Sequence, residues 1–149
     1  MTGASPPRSS VRGPWQFVDT NVLIYAHDRS AGPKHARARE MVQELWRSGA
    51  GCLSIQVLQE FYVNVTQKVA RPLAPELAAQ IVRDLGTWQV HSPGVADVLD
   101  AIRLQARYRL SFWDAMVVTS AIQVGCHTLW SEDLNPGQVY DQVTVASPF

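Results

Sequence analysis

Residues 15–149 predict an α/β fold, a three-layer α/β/α sandwich with a mostly parallel central sheet. Three observations predict it. Short apolar runs of strand length alternate with longer segments of helical periodicity. Helical crossovers between successive strands favour parallel pairing. An aspartate closes the first apolar run, at the edge where open α/β sheets place their ligand sites.

Trp15-Gln-Phe-Val-Asp19 reads as a buried strand running into a turn. Asn21–Ala26 reads as a short first helix. Pro33 opens a second, with Ala36, Met41, Leu45 and Trp46 at roughly helical spacing, and Gly49-Ala-Gly51 stops it. Cys52-Leu53 is a very short strand. Ser54 caps the next helix, whose apolar stripe is Ile55, Leu58, Phe61 or Tyr62, Val65 and Val69, with Pro72 beyond its end. Pro75 and Glu76 open a helix with Leu77, Ile81, Val82 and Leu85 inward, and Trp88-Gln-Val90 is a third strand. Helices over 95–108 and 112–124 follow, the latter closed by Gly125. Thr128-Leu-Trp130 is a fourth strand and Val143-Thr-Val145 a fifth.

The chain has 149 residues, the size of one domain, with 46% apolar and 17% charged residues. No repeat or second domain is visible. Residues 1–14, rich in Pro, Gly, Ser and Arg, lack the apolar middle of a signal peptide and read as a flexible leader. Net charge is zero, so bulk attraction to nucleic acid is absent and any grip on RNA must be local. Cys52 and Cys126 lack a CxxC partner, which disfavours a zinc site and a disulfide scaffold and suits a reducing cytoplasm, although spacing alone leaves one disulfide open. No apolar run approaches the roughly 20 residues that span a bilayer.

Chemistry is suggested by where the acids fall. Asp19 ends the first strand, and Asp133 follows the fourth by a few residues, at the same sheet edge. Glu60 lies beside an apolar helical face in a polar ridge, Gln56-Glu60-Asn64. Asp114 is in the first turn of the helix that opens at Ser111. Two carboxylates about 5 Å apart repel by roughly 3 kcal/mol at an effective dielectric near 20. Four that converge must take up protons or bind a cation. An all-oxygen set without His or Cys favours Mg2+ or Mn2+ over zinc, and such ions suit phosphodiester hydrolysis. Each acid also has a plainer reading: a helix cap for Asp19, a capping box with Ser111 for Asp114, a solvated helix residue for Glu60, an acidic turn for Glu132-Asp133.

Taken together, Phe17-Val-Asp-Thr-Asn-Val-Leu-Ile-Tyr-Ala26, Ser54-Ile-Gln-Val-Leu-Gln-Glu-Phe-Tyr62, Ser111-Phe-Trp-Asp-Ala115 with Ala121 beyond it, and Leu129-Trp-Ser-Glu-Asp-Leu134 resemble the PIN-domain nucleases. The resemblance is closest to the VapC-type toxins of bacterial toxin–antitoxin pairs, and it covers essentially everything after residue 14. It implies a metal-binding quartet of Asp19, Glu60, Asp114 and Asp133, with Asp19 and Asp114 the closest ligands. Thr20 matches the hydroxyl beside the first acid, Asn21 orders that turn, and Glu132 is an extra acid that supports the quartet or meets substrate. It further implies Mg2+- or Mn2+-dependent RNA cleavage, inhibition by a cognate antitoxin protein, and a homodimer built from apolar faces of the N-terminal and middle helices.

Outside the quartet, His27 and His35 flank the loop after the first helix, and Arg29, Lys34, Arg37 and Arg39 make this the most basic stretch. It can guide phosphates or be a solvated face. Trp113 and Trp130 can stack a base or fill the core. An aspartyl-phosphate enzyme is disfavoured because Asn21 stands where it needs a second Asp. A non-catalytic RNA- or protein-binding domain on the same fold is the remaining rival, and an intact quartet weighs against it.

Overall fold

The computed structural model describes residues 15–149; the expected leader, residues 1–14, lies outside the described residues. Six strands form one sheet: β1 Gln16–Val18, β2 Gly51–Ser54, β3 Gln89–His91, β4 Thr128–Trp130, β5 Val139–Tyr140 and β6 Val143–Ala146. Six α-helices flank it: α1 Thr20–His27, α2 Pro33–Ser48, α3 Ile55–Gln67, α4 Pro75–Leu85, α5 Val95–Tyr108 and α6 Phe112–Gln123. This is the predicted mostly parallel α/β/α sandwich. Strand order is β3-β2-β1-β4-β6-β5, and only the β5–β6 pair is antiparallel.

That order positions the site. The chain leaves β1 through β2 and β3 on one side, then returns to place β4 and β6 on the other. The crevice at the carboxyl ends of β1 and β4 is therefore a topological switch point. Asp19 continues the ladder there, its N–H donating to the Trp130 carbonyl at 2.9 Å.

Burial of Phe17, Val18, Leu53 and Leu129 against Val22, Leu23, Val57, Phe61 and Val118 makes the main core. These strands are apolar on both faces because helices cover both. Gly49, at φ 71°, takes the left-handed conformation that ends α2. Gly51 is held glycine by packing, since a Cβ there would lie 2.4 Å from the Trp88 ring.

Several elements differ from their sequence reading. Leu77 is 51% exposed and Ala78 takes its inward place, because the stripe of α4, which opens at Pro75, is Ala78, Ile81, Val82 and Leu85. Trp46 is 43% exposed, its ring meeting Trp88 edge-on. The third strand begins one residue late, because the Trp88 N–H closes the turn after α4 by donating to the Leu85 carbonyl. Helix α3 stops at Gln67 rather than reaching Val69. The two-residue β5 and a 3-10 turn over Arg29–Ala31 were too short to carry a periodic signal.

Cys52 and Cys126 are buried and free. A hydrogen bond with Cys52, together with burial, pushes the Cys126 thiol far up and keeps it protonated. Among the described residues, no helix is long and apolar enough to cross a membrane.

Candidate active site

Asp19 is the best-anchored of the four acids. It caps α1, its Oδ1 accepting from the Thr20 N–H at 2.7 Å, so the plainer reading as a cap is also true. Its Oδ2 accepts from the Ser131 hydroxyl at 2.7 Å, and the residue is 5% exposed. Burial pushes its carboxyl up to about 6, the bonds from Ser131 and Thr20 oppose that shift, and the charges of Asp114 and Asp133 add to it.

The other three arrive from separate elements. Thr20 donates its hydroxyl to Glu60 Oε1 at 2.7 Å, joining α1 to α3. Asn21 donates its amide to Asp133 Oδ2 at 2.9 Å and accepts from the Glu132 N–H at 3.3 Å, joining α1 to the loop after β4. Asp114 sits one turn into α6, whose cap Ser111 accepts from the Asp114 N–H at 3.1 Å. Burial raises the Asp114 carboxyl, Ser111 counters it, and the charges of Asp133 and Glu60 raise it further. The structure thus sets Asp114 within electrostatic reach of Asp19, Asp133 and Glu60, and Asp19 within reach of Asp133, with Thr20 bonded to Glu60 and Asn21 to Asp133.

Glu132 is placed differently. Its carboxylate accepts from the Tyr25 hydroxyl at 2.7 Å and pairs with Lys34, whose ammonium lies over the Tyr25 and Phe149 rings. The Lys34 and Tyr25 bonds outweigh desolvation and hold it below the ordinary glutamate range. It fastens the loop that carries Asp133.

Ser131 escaped the sequence reading, and Gln56 was read only as part of a polar ridge. Ser131 is fully buried; besides donating to Asp19, its hydroxyl oxygen accepts from the Asp133 N–H at 3.1 Å and the Leu134 N–H at 3.4 Å. A serine one or two residues before an acid is a turn former, and that signal was available in Trp130-Ser-Glu-Asp133. Gln56 was read as part of a polar ridge but is 8% exposed, its amide reaching the Trp113 carbonyl at 3.2 Å and Glu60 Oε2 at 3.5 Å. Asn64, the third member of that ridge, bonds the Glu60 carbonyl of its own helix. Trp130 donates its indole N–H to Gln16, whereas Trp113 is 61% exposed beside Asp114.

Among the described residues, no three His, Cys, Asp or Glu side chains are packed into a ready-made metal cage. The donor set nevertheless fits a hard divalent cation. It is all carboxylate, none of the four acids has an ion-pair partner among the described residues, and neighbouring charge raises two of them. Gln56 Oε1 is a further buried oxygen without a hydrogen-bond partner, on the amide that touches Glu60. Beside the acids lies a cleft of about 460 Å³, lined by Thr20, Asn21, Glu60, Asn64, Lys68 and Asp133 among others. An apolar groove of about 500 Å³ between α3 and α4 shares its Gln59 and Val63 wall.

The PIN domain family matches residues 17–141 of the chain. No curated protein is similar enough to match. Among solved structures, the chain is similar to Mycobacterium tuberculosis VapC20, described as a sarcin–ricin loop cleaving toxin, at 22% identity and TM-score 0.61, over 79% of this chain and 91% of that one. A toxin–antitoxin complex from Klebsiella pneumoniae is similar at 16% identity and TM-score 0.64, over 90% of this chain and 98% of that one. DNA-bound VapBC from Salmonella typhimurium is similar at 15% identity and TM-score 0.64, over 91% and 99%.

Proposed function

The chain belongs to the PIN-domain family, whose members are generally nucleases, and on that premise we propose that it is a Mg2+- or Mn2+-dependent endoribonuclease toxin held inactive by a cognate antitoxin. One observation carries the reading. Asp114 feels the charges of Asp133 and Glu60, Asp19 those of Asp114 and Asp133, and among the described residues no cationic side chain is paired to any of the four.

In this reading Asp19 and Asp114 would hold the divalent ion most directly, and Glu60 and Asp133 would complete its oxygen donors. A bound divalent ion would supply charge neutralisation at an RNA phosphate and a more acidic water. The chain's own residues prepare the site. Ser131 and the Thr20 N–H fix both oxygens of Asp19. Thr20 and Asn21 orient Glu60 and Asp133. Trp113 offers an exposed ring for a nucleobase.

The antitoxin reading is supported by neighbours described as toxin–antitoxin complexes, and by an apolar groove whose shared wall lets one bound segment reach the acids. A homodimer completes the reading. The α5 stripe Val95, Leu99 and Ile102 is 78%, 50% and 48% exposed, an apolar face for a second copy.

The test is cleavage of a mixed RNA substrate with Mn2+, with EDTA, and by the Asp114→Asn variant. Cleavage only by the unsubstituted chain with metal is expected. Equal activity in EDTA or in the variant overturns the reading.

A further inference from the structure

A second cavity, of about 250 Å³, opens at the far end of α1 from Asp19. One side carries the guanidinium groups of Arg29 and Arg39 with the imidazoles of His27 and His35; Leu77 and Ile81 of α4 lie on the other. We propose that this cavity seats a phosphate group, and, resting on the nuclease reading, that the phosphate belongs to the RNA strand held in the acid cleft.

The charge balance of the cavity carries the inference. Neither Arg29 nor Arg39 has a side-chain hydrogen bond or ion pair among the described residues. The acids that could have neutralised them are engaged elsewhere: Asp28 accepts from the N–H and hydroxyl of Ser30, and Glu40 pairs with Arg37. Two forked cations converging without a carboxylate leave a charge that an oxyanion relieves, and guanidinium matches phosphate oxygens in pairs.

The two histidine rings lining the cavity are oriented by backbone carbonyls. His27 Nδ1 donates to the Leu23 carbonyl and His35 Nδ1 to the Tyr25 carbonyl, both at 2.9 Å. A carbonyl only accepts, so each Nδ1 carries a proton, and Nε2 donates to a phosphate oxygen only when the ring takes up a second proton. Two adjacent cationic arginines argue against a metal at these nitrogens and for an anion.

The location suits an extended substrate. Thr20, Ile24 and His27 follow one another at i, i+4 and i+7, on one stripe of α1. Thr20 and Ile24 line the acid cleft and His27 lines the second cavity. From the Asp19 cap to His27 the helix rises about 12 Å. A strand gripped at both ends of α1 would supply the local attraction that a net charge of zero does not.

The experiment compares the unsubstituted chain with Arg29→Ala/Arg39→Ala, both exposed positions, after circular dichroism has checked the fold. Inorganic phosphate is titrated while the imidazole NMR signals are followed. Single-stranded RNA binding is measured in EDTA across a salt series. Phosphate is expected to shift the His27 and His35 signals only in the unsubstituted chain. The double variant is expected to bind RNA about tenfold more weakly, with the salt slope reduced by about 0.7 to 1. Phosphate shifts with an unchanged RNA slope support a seat for a free phosphate or nucleotide and overturn the RNA assignment. No imidazole shift together with an unchanged slope overturns the site itself. Failure of the nuclease reading would appear separately, as absence of metal-dependent cleavage, and would leave the phosphate titration standing.

Discussion

Ser131 Oγ lies 2.7 Å from Asp19 Oδ2, joining the residue after β4 to the residue after β1 where the strand order reverses. The same hydroxyl oxygen accepts from two N–H groups of the loop that carries Asp133. One side chain therefore sets both the most buried and the most exposed acid of the quartet. In Ser131→Ala, Asp19 loses a bond to its charged form, so its carboxyl rises above about 6. The acid limb of the pH–activity profile should move to higher pH, and chemical denaturation should show a loss of about 1–3 kcal/mol.

Asp19 itself makes stability depend on pH. Its carboxyl is about 6 when folded against 3.8 as an ordinary aspartate, so the folded chain holds that proton more tightly. In EDTA its contribution to stability is fully present below about pH 4 and fades as pH rises through about 6, by about 3 kcal/mol. Asp19→Asn should flatten this slope in urea titrations at pH 4, 5, 6 and 7. In the unsubstituted chain Mn2+ affinity should rise up to about pH 6 and then level, because metal and proton compete for the same oxygens.

Asn21→Leu keeps the size of the side chain and removes both loop contacts. The expected result is a loss of about 10- to 100-fold in metal affinity or cleavage rate. Calorimetric Mn2+ titration reads it, and the melting temperature should move little because Asn21 and Asp133 both reach the surface.

Gly51→Ala tests the fold rather than the site. A Cβ at 2.4 Å from the Trp88 ring forces that ring away from Trp46. A destabilisation of about 1–3 kcal/mol is expected, read by urea denaturation, while metal affinity at saturating folded fraction stays unchanged.

Val63→Asp places a charge on the wall shared by the apolar groove and the acid cleft, at a residue 39% exposed. Co-purification with the antitoxin should be lost, with cleavage by the isolated chain retained.

The alternation of strands and helices was legible in sequence because each element carries its own period, and parallel pairing followed from the helical crossovers. The four acids were legible only as a set. Singly, Asp19 and Asp114 look like helix caps, and in the folded chain they do occupy capping turns. What stayed hidden depends on long-range geometry. Nothing in the local pattern of Gln56 says that its amide meets Trp113, or that Glu132 turns to Lys34 while its neighbour Asp133 meets Asn21. The outward rotation of Leu77 was missed because a stripe read at 77, 81 and 85 and one read at 78, 81 and 85 differ by one residue and both fit a helix that opens at Pro75.

The quartet is gathered from residues 19, 60, 114 and 133, with the last beyond β4. A ribosome-bound chain that has exposed only its first hundred residues holds two of these acids and lacks the strand that closes the crevice. A chain that stops short of residue 133 therefore cannot assemble the four. Any activity they carry waits on the docking of the final third of the polypeptide, which brings Asp114 and Asp133 to the other two.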